Sequence, residues 1–430
     1  MSPRFDLRSL LERVEAAAPV DAVTAVAEEL VTLSGAQRVS LLVADFSGQA
    51  LVRLTTAATD GARTWGAEQA ETLPLDGTAH GSVVRTQLPD VHRVDDGVRV
   101  IVPVTDRGDS LGVLELVLPD LPDDQMVADI AAAGHALAYV VIANRRHTDL
   151  FEWGQRTTPF SLAAEIQRRL LPSAFTCEAG QFTLAGWLEP AATVGGDTFD
   201  YTLDRDTLHV SITDAVGHEV PAALLATLLV GGLRNERRRG GCLADQVQGA
   251  NAALAAHADP GEFVTGQVVR VDLQTETAEI VNAGHPLPLL LRDGRVSEVR
   301  LTVDLPFGVE PGTAYRVQRL PLHPGDRIVF VTDGMQERNA AVLDVERALV
   351  ATADLHPREV VHALGQAVLG ATGRDLRDDA TVVCLDWYGG PQRPRVSNGG
   401  ASPERASSGR PGGAGTDPAG GGPVCRAAPK

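Results

Sequence analysis

Residues 207–218 read TLHVSITDAVGH, an apolar strand pattern that ends at the carboxylate of Asp214. Residues 326–334, DRIVFVTDG, repeat this arrangement with Asp333, whereas residues 377–385, RDDATVVCL, place Asp378 and Asp379 before the strand. The exit of one antiparallel strand lies beside the entry of its neighbour, so we expect these carboxylates to share one edge. Short strands around the helix-like runs 220–237 and 243–257 predict a layered, mostly antiparallel α+β domain over residues 181–388.

A further carboxylate, Asp197, follows two glycines in the segment VGGD, residues 194–197. Each acidic residue taken alone is typical of a turn, but their joint order favours a shared site. Converging carboxylates raise one another's pKa values unless cations neutralise them, and an all-oxygen site selects Mg²⁺ or Mn²⁺. Two such ions about 4 Å apart are the arrangement used by phosphatases.

The blocks that surround these residues carry a resemblance across roughly residues 163–387. They are IQRRLLP (166–172), VGGD (194–197), FDY (199–201), Asp214 with PAALL (221–225), FVT (263–265), NAGHP (282–286), PFGV (306–309), PGD (324–326), TDG (332–334) and DDAT (378–381). In this order they resemble the metal-dependent protein phosphatase superfamily with the protein phosphatase 2C fold, in its bacterial SpoIIE-like and RsbU-like branch.

The resemblance implies an α-β-β-α sandwich with two Mn²⁺ or Mg²⁺ ions at one end of its two sheets. It also assigns roles: Asp214 bridges both ions and Ala215 offers its backbone carbonyl, while Asp197 completes one site and Asp333 with Asp378 completes the other. Asp379 is expected to orient a neighbouring ligand. His285, in the NAGHP block, is expected to belong to a structural turn.

One segment departs from the family pattern. After the bridging Asp the family has a run similar to VSGKG, whereas this chain reads AVGHE over residues 215–219. Glu219 replaces the last glycine, which is unfavourable if that backbone needs a positive φ, and His218 replaces the lysine. Two readings therefore stay open: an active enzyme, or a catalytically weak or silent module that binds a phosphoprotein or an anti-sigma partner. A small-molecule phosphatase is a third alternative.

The amino-terminal residues 1–145 also predict an α+β unit. Helical spacing at 10–18 and 22–33 precedes strand patterns at 39–44 and 50–54 and a hairpin of residues 100–104 and 111–118. From about residue 20 to 145 this resembles a GAF sensory domain, a type that binds small molecules or only forms dimers. Trp65 and His80 are candidate pocket residues, but a single Trp or His is more often a core residue, and no ligand is assigned.

The remaining chain is expected to comprise a helical connector at 146–172, the phosphatase-like domain at 173–390 and a disordered Gly- and Pro-rich tail at 391–430. The formal net charge of −18 disfavours a nucleic-acid or anionic-membrane binder. Lys430 is the only lysine, which excludes a lysine Schiff base in the folded part. The four cysteines are widely spaced, indicating a reducing cytoplasmic location, and no signal peptide or membrane segment is predicted.

Together the resemblance implies a serine/threonine phosphoprotein phosphatase of bacterial signalling. Its expected substrate is a phosphorylated anti-sigma factor antagonist, and the GAF-like domain is expected to control it through the connector, in a homodimer. This choice of substrate follows from analogy with the family.

Overall fold

The computed structural model describes residues 7–58, 63–64, 71–157, 160–189, 195–335, 344–373, 376, 378–391, 395 and 399–401. Trp65 and residues 402–430 of the expected tail lie outside these ranges. The predicted α+β class is present.

The amino-terminal domain is one antiparallel sheet with helices on both faces. Its strands follow the order β3-β2-β1-β7-β6-β5, and β4 pairs with β2. Its elements are α1 (Leu7–Ala16), α2 (Ala22–Ser34), β1 (Arg38–Ala44), β2 (Ala50–Ala58), β3 (Arg63–Thr64), β4 (Thr72–Pro74), α3 (Ala79–Thr86), β5 (Asp90–Val94), β6 (Gly97–Asp106), β7 (Asp109–Leu118) and α4 (Asp124–Asn144).

Alternation along the strands creates two cores in this domain. Val100, Val102 and Val104 of β6 pack with α1, α2 and α4, whereas Ile101 faces α3 on the other side of the sheet. Such period-2 alternation is what a sheet covered on both faces requires. His80 is a core residue here, because its Nε2 lies 2.7 Å from the buried carboxylate of Glu115.

Helix α4 is the one helix among the described residues that is long and apolar enough to cross a membrane. It begins with a capping bond from the Met126 amide to Asp123, and 44% of its most apolar stretch is buried in the protein. Core helices meet the same criterion of length and composition. The prediction that the chain has no membrane segment therefore stays a prediction.

The segment between the domains contains two short helices, α5 (Leu150–Gly154) and α6 (Leu162–Leu170). Phe151 of α5 belongs to the amino-terminal core, and Leu170 of α6 belongs to a core of the second domain. The helical connector is thus divided, and each half packs on a different domain.

The second domain contains two antiparallel sheets. Their strand orders are β10-β11-β12-β13-β16 and β15-β14-β17-β18-β9-β8. The elements are β8 (Thr176–Ala179), β9 (Phe182–Glu189), β10 (Thr198–Leu203), β11 (Thr207–Ala215), α7 (Glu219–Arg238), α8 (Leu243–Ala255), β12 (Val264–Asp272), β13 (Thr277–Ala283), β14 (Leu289–Arg292), β15 (Arg295–Glu298), β16 (Gln318–Leu320), β17 (Asp326–Val331), a 3-10 turn (Asp333–Met335), α9 (Val345–Ala351), α10 (Pro357–Ala371) and β18 (Ala380–Trp387).

The two sheets pack face to face, and helices cover their outer faces. Along β18, Val383 and Leu385 enter the core between the sheets, whereas Val382 and Cys384 pack against α10. Helices α7 and α8 cover the other sheet through residues such as Leu229. This is the expected α-β-β-α sandwich.

The two domains meet at the turn between β6 and β7. The carboxylate of Asp109 accepts hydrogen bonds from the amides of Phe175 and Thr176 at 3.1 and 3.0 Å. The Arg358 guanidinium of α10 donates to the carbonyls of Gly108 and Arg85. The amino-terminal domain therefore contacts both the β8 edge and helix α10.

The described part of the expected tail lies at this junction as well. Arg395 donates to the buried carboxylate of Glu178 at 2.8 Å, and the Gly400 amide donates to the hydroxyl of Thr105. The expectation of a disordered tail did not include these contacts.

Candidate metal centre

The predicted acidic residues lie at one end of the sandwich and come from both sheets. Asp214 is the penultimate residue of β11, and Asp197 directly precedes its neighbour β10. Asp333 follows β17, and Asp378 and Asp379 precede β18, which pairs with β17. The antiparallel register brings exits and entries together, as the sequence order indicated.

Asp197 is held by side chains from the opposite sheet. One oxygen of this carboxylate, Oδ2, accepts hydrogen bonds from the hydroxyls of Thr332 and Thr381, at 2.7 and 2.6 Å. Asp197 is 2% exposed, and burial together with the charges of Asp214 and Asp379 raises its pKa well above the usual value. The two threonines fix the carboxylate in place at the seam between the sheets.

Helix α6 supplies a second support. The Gln167 side-chain amide donates to the Asp197 carbonyl at 2.8 Å and to Oδ2 of Asp379 at 2.6 Å. The same oxygen of Asp379 accepts the Asp197 amide at 3.3 Å. Asp379 therefore contacts the backbone around Asp197, which agrees with an orienting role.

Asp214 is the electrostatic centre of the group. Burial raises its pKa, and the charges of Asp333, Asp378 and Asp379 raise it further, to about 7. Like charges shift a pKa in this way when they face a common space, and a bound cation reverses the shift. The all-oxygen donor set fits Mg²⁺ or Mn²⁺.

Glycines bring backbone oxygens close to the acidic residues. A Cβ added at Gly196 would lie 2.5 Å from the Ala215 carbonyl oxygen, and one added at Gly334 would lie 2.0 Å from that of Asp379. Neither position tolerates a side chain without movement of the backbone. Gly196 thus permits the close packing of Ala215, the expected backbone ligand.

The acidic side chains nevertheless do not form a closed coordination shell. Asp333 is exposed on its 3-10 turn, and Asp378 is half-buried. In the described part of the chain, no three His, Cys, Asp or Glu side chains are grouped so as to hold a metal ion. The structure brings the predicted residues to one place, and their roles as ligands remain a prediction.

The segment after Asp214 that departs from the family pattern has positive φ angles, including one at the position where Glu219 replaces glycine. Glu219 begins α7 with φ 60°, in the left-handed region, and Gly217 has φ 103°. His218 is the N-cap residue and forms no side-chain capping bond. A glutamate therefore occupies a position whose conformation favours glycine.

His285 has the structural setting that was expected. The Asn282 side chain accepts from the His285 amide at 2.8 Å and donates to its carbonyl at 2.9 Å, which closes the turn. Burial lowers the pKa of His285 to about 3, and its Nδ1 lies 2.9 Å from the Thr265 hydroxyl. The imidazole is neutral at physiological pH.

Sequence reasoning assigned no role to Gln167, Thr332 or Thr381. The two threonines do leave a signal, because each stands beside an acidic block in neighbouring antiparallel strands, as TDG and DDAT. Gln167 leaves a weaker one, since it lies on a helix far away in sequence from the residues that it contacts.

Comparison with known proteins gives one family match and several relatives. Residues 204–388 match the model of the family described as Stage II sporulation protein E (SpoIIE). The chain is 22% identical to phosphoserine phosphatase RsbU of Bacillus subtilis over 292 residues, covering 64% of this chain and 83% of the relative. It is 23% identical to protein IcfG of Synechocystis over 255 residues, covering 51% and 40% of the two chains.

Solved structures with similarity include the RsbU and RsbW domains of a Mycobacterium tuberculosis protein, at 24% identity and a TM-score of 0.43. The phosphatase domain of SpoIIE from Bacillus subtilis, with a fragment of its regulatory domain, is similar at 19% identity and a TM-score of 0.41. These two matches cover 50% and 49% of this chain, and 63% and 64% of the solved chains. The family match and the RsbU relative confirm the resemblance that the sequence motifs predicted.

Proposed function

Given a SpoIIE-type domain in residues 204–388, we propose that the chain is a Mn²⁺- or Mg²⁺-dependent serine/threonine phosphoprotein phosphatase. The observation that carries this proposal is the convergence of acidic residues from two sheets on Asp214, whose pKa is raised by burial and by the surrounding charges. Buried carboxylates held together at one end of a fold repel one another, and cations bound there would offset that repulsion.

In this proposal Asp214 would help to hold both ions, and the Ala215 carbonyl with Asp197 would complete one site. Asp333 and Asp378 belong to the other. Two bound divalent ions would supply Lewis-acid activation of a water molecule and of the phosphoryl group. The protein itself positions the Asp197 carboxylate, because the hydroxyls of Thr332 and Thr381 donate hydrogen bonds to it.

The substrate proposed is a phosphorylated anti-sigma factor antagonist, in a cytoplasmic signalling pathway. The support is the likeness to RsbU, which is named a phosphoserine phosphatase. We further propose that the amino-terminal domain is GAF-like and controls the second domain, and that the chain forms a homodimer. Control by the first domain is supported by its contacts with β8 and α10.

A catalytically silent binding module is the second candidate, and one observation favours it. Glu219 adopts a left-handed backbone next to the centre, where the family pattern has glycine. In such a module the sandwich recognises a phosphoprotein without hydrolysing it.

One assay distinguishes the two proposed functions. It measures Mn²⁺-dependent hydrolysis of a generic phosphate ester and of a phosphoserine antagonist protein. Asp214→Asn is expected to lower the rate at least about a hundredfold, which corresponds to about 2.7 kcal/mol of transition-state stabilisation. Asp120→Asn, at an exposed aspartate between β7 and α4 of the amino-terminal domain, is the matched control and should retain the rate.

Calorimetric titration with Mn²⁺ accompanies the assay. Loss of hydrolysis and of Mn²⁺ binding in Asp214→Asn supports the phosphatase. Mn²⁺ binding by the native chain without hydrolysis of either substrate selects the silent module. Absence of Mn²⁺ binding by the native chain contradicts the metal centre.

A further inference from the structure

A cavity of about 170 Å³ lies between the two domains, away from the acidic residues. The turn after β1, helix α3 and the β6–β7 turn line it from one side. Helix α6, the β8–β9 edge and helix α10 line it from the other. Its apolar wall includes Leu75, Val84, Leu111, Phe175, Trp187 and Val361.

Three of the residues that line this cavity carry buried polar atoms for which the described residues provide no hydrogen-bond partner. They are Nε of Arg168, Oγ of Ser110 and Nε1 of Trp187. Each of these groups is able to donate a hydrogen bond, and the Arg168 and Trp187 nitrogens are donors only. Buried polar groups are normally paired, so a cluster of unused donors around one cavity points to an acceptor that binds there.

Arg168 adds positive charge. Its guanidinium lies 4.1 Å from the ring centroid of Phe46 and 5.1 Å from that of Phe175, and no described residue forms an ion pair with it. Arg145, also in the lining, contacts the Ser173 carbonyl and has no carboxylate partner among the described residues. Burial lowers the pKa of Arg168 to about 10, which still leaves it charged at neutral pH.

The acidic residues of the lining are already engaged elsewhere. Asp45 accepts hydrogen bonds from its own turn and from the Thr157 hydroxyl, and Asp109 accepts those of the β8 amides. Glu359 is paired with Arg358. These hydrogen bonds leave the carboxylates charged, but the four arginines of the lining, Arg85, Arg145, Arg168 and Arg358, outnumber its three carboxylates, so its net charge is positive.

From these observations we propose that the cavity binds a small organic anion. Its oxyanion accepts hydrogen bonds from Arg168 and Ser110, and its apolar part packs against the aliphatic and aromatic wall. A cavity of about 150 Å³ accommodates benzene, so this one suits a ring-sized group that bears one acid. Charge-assisted bonds to a partly desolvated guanidinium give such a ligand its selectivity over a neutral analogue.

The position of Arg168 connects the cavity with the acidic centre. Gln167, the preceding residue on α6, donates to Asp379 and to the Asp197 carbonyl. An anion that draws Arg168 towards the cavity also acts on this helix. That regulatory consequence rests on the proposed function, whereas binding of the anion does not.

The test uses the full chain and ¹⁹F NMR titration with 4-fluorobenzoate. The native chain is expected to bind this probe, and Arg168→Gln should weaken binding at least about tenfold, the loss of about 1.4 kcal/mol expected for a charged hydrogen bond. Arg295→Gln, at an exposed arginine in β15, is the matched control and should bind as the native chain does. 4-Fluorobenzamide, which lacks the charge, should bind at least about tenfold more weakly.

A second variant guards against a folding defect in Arg168→Gln. Ser110→Leu removes one donor and fills part of the cavity from β7, and it should abolish probe binding while the thermal unfolding temperature stays within a few degrees of the native value. Equal binding of the acid and the amide, equal binding by all variants, or no binding of 4-fluorobenzoate would overturn the proposal. Binding of inorganic phosphate by a chain that does not bind the benzoate would also overturn it, because the cavity would then hold only a free inorganic anion.

Discussion

Asp197 illustrates how single residues join the two sheets at the acidic end. Its carboxylate comes from the entry of β10, but its hydrogen-bond donors, Thr332 and Thr381, belong to the β17–β18 pair. A buried carboxylate needs such donors, because an unpaired one costs several kcal/mol. The site and the seam between the sheets therefore depend on the same contacts.

The positive φ angle of Glu219 leads to a testable prediction. Its φ of 60° costs a non-glycine residue about 1 kcal/mol, and glycine adopts this conformation without that cost. We expect Glu219→Gly to raise the free energy of unfolding by about 1 kcal/mol and to increase Mn²⁺ affinity, since the adjoining segment carries Asp214 and Ala215. Denaturant unfolding and calorimetric titration measure the two effects.

The matched control for this change is Asp293→Gly. Asp293 also has a left-handed backbone, φ 50°, but lies in the β14–β15 turn. It should gain stability without any change in Mn²⁺ affinity. If both variants change Mn²⁺ affinity equally, the strain at Glu219 has no connection with the acidic centre.

The sequence predicted the acidic residues of the site but not what holds them. Carboxylates at strand ends leave a pattern in the strand itself, which is why Asp214 and Asp333 were found. The bonds from Thr332, Thr381 and Gln167 span 135, 184 and 212 residues, and such distant pairing leaves no local pattern. Only the packing of the sandwich determines them.

Helix α6 is nine residues long and contacts several parts of the molecule that are distant in sequence. Ser161 caps its first turn, and the guanidinium of Arg234 on α7 donates to the Leu170 carbonyl at its end. Arg234 also pairs with Asp200 of β10 at 3.0 Å. The sequence predicted helical character for this connector, but not that α6 would pack beside the acidic residues.

Gln167→Ala tests this connection. Removal of the side-chain amide takes one buried donor away from the Asp197 carbonyl and from Oδ2 of Asp379, which costs about 1–3 kcal/mol of stability. Orienting partners of metal ligands typically contribute 10- to 100-fold in metal affinity, so we expect Mn²⁺ affinity to fall by at least about tenfold. Calorimetric titration of the folded variant measures this change.

Arg169→Ala is the control on the same helix, because its side chain is 60% exposed and forms ion pairs with Glu152 and Glu165. It should bind Mn²⁺ as the native chain does. Unchanged affinity in Gln167→Ala would mean that Asp379 is oriented by its backbone neighbours alone.

At the scale of the whole molecule, the domains are joined by polar contacts at the β6–β7 turn. Glu178, fully buried, accepts from His356 at 2.9 Å and from Arg395, while its amide donates to the Arg107 carbonyl. Burial raises the pKa of Glu178, but the bond from His356 and the charge of Arg395 outweigh it and lower the pKa to about 2. Nothing in the local sequence pattern of either domain identifies this junction.

Asp109 at the same junction has the opposite shift, which gives a pH-dependent prediction. Burial raises its pKa from 3.8 to about 6, although the amides of Thr176 and Phe175 oppose the rise. A raised pKa in the folded state means that the stabilising contribution is complete below pH 3.8 and is lost as the pH rises through 6.

Asp109→Asn keeps the acceptor oxygen and removes the charge, so it should resemble the protonated form at every pH. We therefore expect it to exceed the native chain in free energy of unfolding by about 3 kcal/mol at pH 8, with the gain vanishing near pH 4. Thermal unfolding across this pH range measures the difference, and the exposed Asp120→Asn, with no such burial, should show none. A gain that is independent of pH would show that the junction does not bury the Asp109 charge.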